Sequence, residues 1–359
     1  MGADEIKVIG LEIMPLDTLF FRDGRPFGEA VRASSGLPQP QTLAGALRTW
    51  LLRQAGCDFE ALAQVMAGGA GFGEALAQGQ PPAAQAVADA TFRGPWLYRD
   101  QSPMAPLPAT ILKTDGGEYV RLDPLAPETL PGWRPPMAGM QPLWRRGDKP
   151  AKHRPAFLTM TGLRQFLAGG VPQPAEVIAP ECLYGFDERV GIGVDPQTYA
   201  TEEGMIYAAR MLAPKEGVGF YAEVRGPQEV LALLPNGPFP LAWGGEGRRA
   251  ACRKVPAVGW PEEHPRQGEG ALLLLTAPGL FPDGWRPPEV KPVAAAVSDS
   301  VAVSGWDLAR GGPKPNRFAV AAGSVYFLKQ PLRRGASLCQ GEDATVGWGT
   351  FVEGRWNYA

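Results

Sequence analysis

The basic residues of this chain are unevenly distributed. Its formal net charge is -2, yet the stretch from Arg310 to Arg334 holds six lysines and arginines and no acidic residue. In "LARGGPKPNRF", glycine and proline keep Arg310, Lys314 and Arg317 out of regular helix and strand, so their side chains can spread toward one bound strand. An arginine can form two parallel hydrogen bonds with a phosphate, and a lysine adds a point charge. The pattern favours a local polyanion site, with a solvated loop as the alternative.

Two glycine-rich stretches offer further contacts. In "WGGEGRRAACRK", Arg248 and Arg249 come directly after a glycine turn. Near the C-terminus, "GWGTFVEG" places Gly347 and Gly349 on either side of Trp348 and adds a third glycine, a pattern in which bare backbone N–H groups could approach phosphates. Edge strands also favour charge, and hairpin turns also use glycine, so ordinary structure remains an equal explanation of both stretches.

The segment "PLDTLFFRDGRPF" ends an apolar, strand-like run with two arginines on one tight corner. Gly24 permits the turn. If the strand lies in an RRM-like sheet, Arg22 and Arg25 sit at its rim, where guanidinium groups bind phosphates or stack on unpaired bases. In the helix that follows, Gly45 costs about 1 kcal/mol relative to alanine, which suggests that another backbone approaches it. Arg48, one turn further on, joins the candidate contacts.

Residues for catalysis or metal binding are sparse. The only histidines are His153 and His264, and neither has the spacing of a nucleophile, base or metal site. The four cysteines lie far apart without a CxxC pair, and no metalloprotease, hydrolase or P-loop motif is present. The sequence therefore predicts no catalytic residue, no metal and no cofactor.

Length and composition set the size and setting of the protein. At 359 residues and 45% apolar content, the chain can fill two hydrophobic cores. The longest apolar run, "ALLLL", is far short of the roughly 20 residues that cross a bilayer. The N-terminal stretch lacks the pattern of a signal peptide, and the dispersed cysteines suit a reducing compartment. We therefore expect a cytoplasmic protein without a membrane contact.

The order of predicted elements indicates the fold. The alternation in "IKVIGLEIMPLDTLFF" predicts a first strand, and Leu43, Leu47 and Leu51 mark one face of a helix. Residues 58–181 read as a long irregular insertion. An extended hairpin around a polar loop at 195–203 follows, and then a short helix and a closing strand at "FPLAWGGEGRRAACRKV". The order β, α, insertion, β-hairpin, α, β is that of a ferredoxin-like, or RRM-like, domain.

A second, smaller unit of the same type fits the strands that begin at "GEGALLLL". The predicted fold class is thus α+β, with two ferredoxin-like (RRM-like) domains and a long irregular insertion in the first. The first domain covers residues 1–258, with the insertion at about 58–181. The second covers residues 268–359 and contains the glycine-rich loop.

Six motifs, in this order, resemble the RAMP superfamily of CRISPR proteins, and more narrowly the Cmr-three subunit family of type III-B effector complexes. They are "PLDTLFFRDGRPF", "PQPQTLAGALRTWLL", "RVGIGVDPQTYATEEGMIY", "GGEGRRA", "GWDLARGGPKPNRFAVAAGSVYF" and "GWGTFVEGRW". The resemblance implies two ferredoxin-like domains, no nuclease activity, and binding of the 5′ handle of the CRISPR RNA in antiviral defence. It also implies contact with the large polymerase-like subunit and with a neighbouring RAMP backbone subunit.

The resemblance gives the hairpin loop at 195–203 a role as well. In related subunits such a hairpin protrudes as a thumb that pins or kinks the guide. The tip here is acidic, so steric wedging by Tyr199 is the expected contact. Two alternatives remain open: a RAMP endoribonuclease that processes precursor CRISPR RNA with residues other than histidine, and a structural subunit that binds only protein.

Overall fold

The structure is a computed structural model that describes residues 7–21, 33–34, 36–135, 137–147, 155–194, 198, 201–307, 312–332 and 337–359. The chain forms two compact units. The first unit consists of Met1–Pro95, Tyr184–Ala257 and Ala302–Arg317. The second consists of Trp96–Leu183, Val258–Val301 and Phe318–Ala359.

The described residues form short helices and many short strands. The helices are α1 Pro40–Gln54, α2 Phe59–Ala67, α3 Phe72–Leu76, α4 Pro82–Ala86, α5 Met160–Leu167, α6 Gln228–Ala232 and α7 Gly341–Thr345. Short 3₁₀ helices lie at Val87–Asp89, Pro174–Glu176 and Pro180–Cys182. No helix in the described part of the chain is long and apolar enough to cross a membrane.

The strands follow in chain order. Those up to residue 194 are β1 Lys7–Pro15, β2 Ala33–Ser34, β3 Thr91–Arg99, β4 Ser102–Pro103, β5 Ala105–Pro106, β6 Ile111–Lys113, β7 Tyr119–Arg121, β8 Phe157–Leu158, β9 Val177–Ile178 and β10 Tyr184–Val194. The later ones are β11 Thr201–Pro214, β12 Gly219–Gly226, β13 Phe239–Ala242, β14 Arg249–Val255, β15 Gly270–Leu275, β16 Ala294–Ala296, β17 Ser300–Val303, β18 Trp306–Asp307, β19 Gly312–Pro313, β20 Arg317–Val320, β21 Val325–Leu328 and β22 Phe351–Trp356.

The first unit is built on a sheet with the strand order β13-β14-β1-β12-β3. β1 pairs antiparallel with both β12 and β14. Leu11 and Ile13 of β1 are fully buried and alternate with Glu12, as the period of a half-buried strand requires. α1 buries in this unit the leucine face that the sequence predicts, and the Trp50 ring packs against Phe239 in a tilted arrangement with 4.4 Å between ring centroids.

The predicted long hairpin is present, but it does not belong to the main sheet of the first unit. β10 and β11 pair as an extended antiparallel hairpin, with Gly191 opposite Tyr207. They form a separate sheet with β2, outside the main sheet. The strand beside β12 is instead β3, which the sequence assigns to the irregular insertion. Because β3 lies about 40 residues after α1, short-range patterning could not connect the two elements.

The second unit is built on an antiparallel sheet with the order β16-β21-β15-β22. Its core combines these strands with residues from the predicted insertion. The insertion contributes Ala105, Ile111, Leu158, Met160, Leu163, Phe166 and Leu167, and the sheet contributes Leu272, Leu274, Val325, Phe327, Val352 and Trp356. α5 lies close against β22, because a Cβ at Gly354 would be only 2.9 Å from Leu167 Cα.

The two units therefore differ from the expected domains of 1–258 and 268–359. Ala257 belongs to the first unit and Val258 to the second, while Trp96–Leu183 belongs to the second unit and Ala302–Arg317 to the first. The physical reason is that the apolar face of the second sheet has to be covered by a helix. After residue 268 the described chain provides a single helix, the five-residue α7, so the apolar face of the sheet is covered by α5. The mixed helix and antiparallel strand structure is as predicted.

A buried arginine joins three segments of the second unit. Arg121 Nη1 donates to Phe166 O at 2.6 Å, and Nη2 donates to Arg355 O at 3.3 Å. Arg121 Nε donates to Asp123 Oδ1 at 2.9 Å. Burial lowers the pKa of Arg121 and raises the pKa of Asp123, and the attraction between the two charges opposes both shifts. The guanidinium thus satisfies carbonyls at the ends of α5 and β22.

We predict that Asp123→Ala lowers the free energy of unfolding by about 3 kcal/mol, because it leaves the buried Arg121 charge uncompensated. Denaturant unfolding of the two proteins measures the difference. The matched control is Asp283→Ala, which removes the partner of Arg286 at 3.3 Å on the surface and should cost no more than about 0.5 kcal/mol. Equal losses in the two variants would contradict the structural role of the Arg121 pair.

Candidate nucleic-acid interface

The predicted site residues fall into three groups. Arg22, Arg25, Tyr199 and Arg310 lie outside the described residues, so their contacts remain predictions. Lys314, Arg317 and Arg249 are exposed cations. The others, Arg48, Arg248, Gly347, Trp348 and Gly349, lie in packed surroundings that explain each of them structurally.

The backbone around Lys314 is fixed by hydrogen bonds within the first unit. Lys314 N donates to Gly305 O at 2.7 Å, and Ser304 Oγ donates to Lys314 O at 3.4 Å. Gln41, in the first turn of α1, donates from Nε2 to Ser304 O at 2.7 Å. The side chain of Lys314 is exposed on this anchored backbone. Arg317, which the sequence predicts to lie outside helix and strand, is instead the first residue of β20, and its side chain is also exposed. They can therefore meet a polyanion without reordering the main chain.

Arg248 and Arg249 are neighbours in sequence, but only the side chain of Arg249 is exposed. Arg249 begins β14 opposite Ala242, and its side chain is exposed. The side chain of Arg248 is 15% exposed; Nη1 lies 2.5 Å from Asp17 Oδ2, and Nη2 lies 3.2 Å from Met211 Sδ. The N–H of Thr18 and then the Arg248 guanidinium lower the pKa of Asp17. Arg248 thus joins three segments of the fold, and Arg249 is the cation that remains at the surface.

Arg48 lies one turn after Gly45 in α1, and the two residues have different surroundings. The Arg48 guanidinium lies 4.5 Å from the centroid of the Phe72 ring and 5.7 Å from that of Phe92, in cation–π geometry. A Cβ at Gly45 would meet nothing within 4 Å, so the close backbone approach expected there is not made by the described residues. Arg48 therefore has a packing role in the first unit. Within the described chain, no steric constraint requires glycine at position 45.

The N–H groups of the glycine-rich loop are used inside the second unit. Gly347 N donates to Ala344 O at 3.2 Å, Trp348 N to Asp343 O at 3.0 Å, and Gly349 N to Pro278 O at 2.7 Å. The φ angles of Gly347 and Gly349 are 101° and 68°, a region that favours glycine. Trp348 is 1% exposed. The three residues thus serve the turn itself, and their N–H groups already have acceptors.

Sequence reasoning missed one exposed aromatic residue. Phe318, directly after Arg317 in the chain, is 68% exposed. Exposed aromatic rings are the groups on which unpaired bases stack. The signal in the sequence is the pair "RF" at the end of the glycine- and proline-rich loop. In the described part of the chain, no group of three or more His, Cys, Asp or Glu side chains could hold a metal ion.

The comparisons with known proteins identify the class of the chain and then its family. Residues 11–356 match a family model of CRISPR-associated proteins. The family is CRISPR-associated protein (Cas_Cmr3), and the chain belongs to it. The resemblance to the Cmr-three subunit family of type III-B complexes is thereby confirmed. No curated protein matches the sequence.

Two solved structures have a similar fold. One similar chain comes from "Cryo-EM structure of the Type III-B Cmr-beta bound to cognate target RNA", with 17% identity, a TM-score of 0.53, and coverage of 89% of this chain and 86% of that chain. Another comes from the same assembly with target RNA and AMPPnP, state 1, with 17% identity, a TM-score of 0.51 and the same coverage. At this identity the likeness concerns the fold.

A glycine substitution tests whether the turn at Gly349 requires glycine, with a substitution in α1 as the control. Gly349→Ala should lower the free energy of unfolding by about 2 kcal/mol or more, because its φ is positive and a Cβ would lie 2.7 Å from Cys339 Sγ. The control, Gly45→Ala, should raise it by up to about 1 kcal/mol, since the site is helical and open. Urea unfolding measures both. A neutral Gly349→Ala would show that this glycine is not required by the turn.

Proposed function

We propose that this protein is a non-catalytic subunit of a type III-B CRISPR effector complex that targets RNA in antiviral defence. In this proposal it binds the 5′ handle of the CRISPR RNA and docks the large polymerase-like subunit and a neighbouring RAMP backbone subunit. Membership of the Cas_Cmr3 family supports the assignment to the complex. The similar fold of chains from Cmr-beta structures bound to target RNA supports an RNA-containing assembly.

We further propose that both units are ferredoxin-like. In the first unit, β1, β3, β12 and β14 occur in that chain order and lie in the spatial order β14-β1-β12-β3. In the second, β15, β16, β21 and β22 lie in the order β22-β15-β21-β16. Both sheets therefore have the fourth strand beside the first and the third beside the second, the order of a split βαβ sheet. α1 and α6 supply the helices of the first unit, and α5 covers the sheet of the second.

The exposed cations on the anchored loop carry the RNA-binding part of the proposal. Lys314 lies on a backbone held to α1, Arg317 is exposed at the start of β20, and Arg249 is exposed on β14 of the same unit. Arg22, Arg25 and Arg310 complete the cationic set by sequence, and Tyr199 supplies the wedge. Single-stranded RNA suits such a set, because its unstacked bases and phosphates are both accessible to side chains. The packed Arg48, Arg248, Gly347, Trp348 and Gly349 support the scaffold.

Charge reversal in the loop tests this proposal. Lys314→Glu with Arg317→Glu should weaken binding of handle RNA and lower its salt slope by about 0.7 for each phosphate that the variant no longer neutralises. Titration at two salt concentrations measures affinity and slope. Lys215→Glu with Lys291→Glu makes the same charge change at exposed lysines elsewhere and should leave the slope near the wild-type value.

Co-purification of the other subunits with the same variant separates RNA binding from assembly. We expect the loop variant to retain its protein partners, because the changed side chains are exposed and the backbone hydrogen bonds of the loop are kept. Equal affinities and equal slopes for wild type and variant would remove this loop from the RNA-binding site.

Incubation with repeat-containing RNA tests the absence of catalysis. We predict that the purified chain leaves the RNA intact, with and without divalent metal, because two poorly placed histidines are its only imidazoles. Gel analysis of end-labelled RNA provides the measurement. Specific cleavage products that disappear on changing a single residue would support the alternative of a RAMP endoribonuclease.

A further inference from the structure

The second unit carries two exposed tryptophans that the proposed handle contacts do not involve. Trp133 is 44% exposed and Trp144 is 49% exposed. Each is followed directly by arginine: Arg134 after Trp133, and Arg145 with Arg146 after Trp144. All three arginines are exposed. We call these five residues the tryptophan–arginine surface.

Main-chain hydrogen bonds hold the segment that carries these residues. Leu125 N donates to Pro142 O at 3.0 Å, and Pro124 forms a β-bridge with Leu143, the residue before Trp144. Gln141 N donates to Val293 O at 2.6 Å, and Val293 is part of the second core. A turn from Leu130 to Trp133 orders the other tryptophan. The rings are therefore presented by a closed loop whose base is anchored in the core.

The side chains of the tryptophan–arginine surface are not engaged within the described structure. Among the described residues, none of the five makes a side-chain hydrogen bond, an ion pair or a ring contact. Residues 129–147 contain these three arginines and no acidic residue. Two large apolar rings and three positive charges thus remain exposed together on one loop, in a chain of net charge -2.

We propose that the tryptophan–arginine surface binds single-stranded RNA, with bases stacking on Trp133 and Trp144 and phosphates contacting the arginines. Every base has a π-face, so stacking on tryptophan tolerates any sequence, and arginine adds phosphate and cation–π contacts. The surface is distinct from the Lys314 and Arg317 loop, which lies in the first unit. It requires no particular handle sequence and therefore accepts a stretch of guide or of target.

RNA accounts for this surface better than a protein partner does. A protein interface that desolvated these three arginines would have to supply a partner carboxylate for each of them, since a buried unpaired charge is strongly destabilising. On RNA the same arginines release counterions from consecutive phosphates, which favours binding. In the sequence, one or two arginines directly follow each tryptophan, so bases and phosphates of one strand could be bound by the same segment.

The test uses the full chain and a uridine oligomer, with fluorescence anisotropy at two salt concentrations. Trp133→Ala with Trp144→Ala should weaken binding by at least about fivefold for each ring that stacks on a base. Arg134→Glu, Arg145→Glu and Arg146→Glu together should lower the salt slope by about 0.7 for each phosphate that is no longer neutralised. The control, Leu16→Ala with Phe59→Ala, removes exposed apolar side chains of the first unit and should bind as the wild type does.

The outcomes separate this surface from the handle site. Weaker RNA binding by the tryptophan variant, with unchanged binding by Lys314→Glu with Arg317→Glu, would support RNA binding at the tryptophan–arginine surface. It would also show that Lys314 and Arg317 do not bind this RNA. Absent binding by the wild type, or equal binding by wild type, control and tryptophan variant, would overturn the proposal. Loss of a protein subunit from the complex with unchanged RNA affinity would also overturn it, in favour of protein docking.

Photo-crosslinking in the purified complex distinguishes the two RNA sources. Thiouridine is placed either in the guide or in a matching target, and crosslinked peptides from residues 129–147 are identified by mass spectrometry. A crosslink from either RNA that disappears in the tryptophan variant supports the proposal and names the strand. Absence of crosslinks from both strands at this segment contradicts it.

Discussion

The close packing of α5 on β22 is the interaction on which the second unit depends. Gly354 lacks a side chain, and this lets Leu167 approach the strand so closely that a Cβ would lie 2.9 Å from its Cα. The sheet has a leucine-rich face at β15 that must be covered, and the described chain after residue 268 contains only the short α7 as a helix. The covering helix therefore comes from a segment some 100 residues earlier. Arg121 completes the arrangement by donating to the carbonyls of Phe166 and Arg355, which links the end of α5 to β22.

Whether an arginine side chain is packed within the fold or exposed depends on the direction in which it leaves the backbone. Arg248 turns inward onto Asp17 and Met211, while Arg249, the next residue, points outward from β14. Arg48 lies over aromatic rings, and Arg121 is buried in the second unit. Charge alone therefore does not define a binding surface. A binding surface requires cations that remain exposed on ordered backbone. Lys314 is the clearest example, because its own N–H and C=O are both hydrogen-bonded.

The proposed RNA contacts share one physical design, in which a rigid backbone presents exposed side chains. The loop at Lys314 is tied to α1 through Gln41 and Ser304. The loop at Trp144 is tied to the second core through Gln141 and the bridge of Pro124 with Leu143. Anchoring of this kind lowers the entropic cost of binding a flexible single strand, because only the RNA has to be ordered. Stacking rings and phosphate-binding cations then act on a polymer whose bases and backbone are both exposed.

By itself, the sequence determined the local elements, the family and the mixed α and β class. The leucine face of α1 and the long β10–β11 hairpin follow from periods of 3.6 and 2, which depend on neighbours within a few residues. The ordered motifs sufficed for the family, and residues 11–356 match it. Only the tertiary structure decided that β3 belongs in the first sheet, that the supposed insertion forms half of the second core, and that Gly347 and Gly349 serve a turn. Strand partners, helix cover and the direction of a side chain depend on residues far apart in the chain, and the free energy of burying a sheet face or a guanidinium is set only when those residues meet.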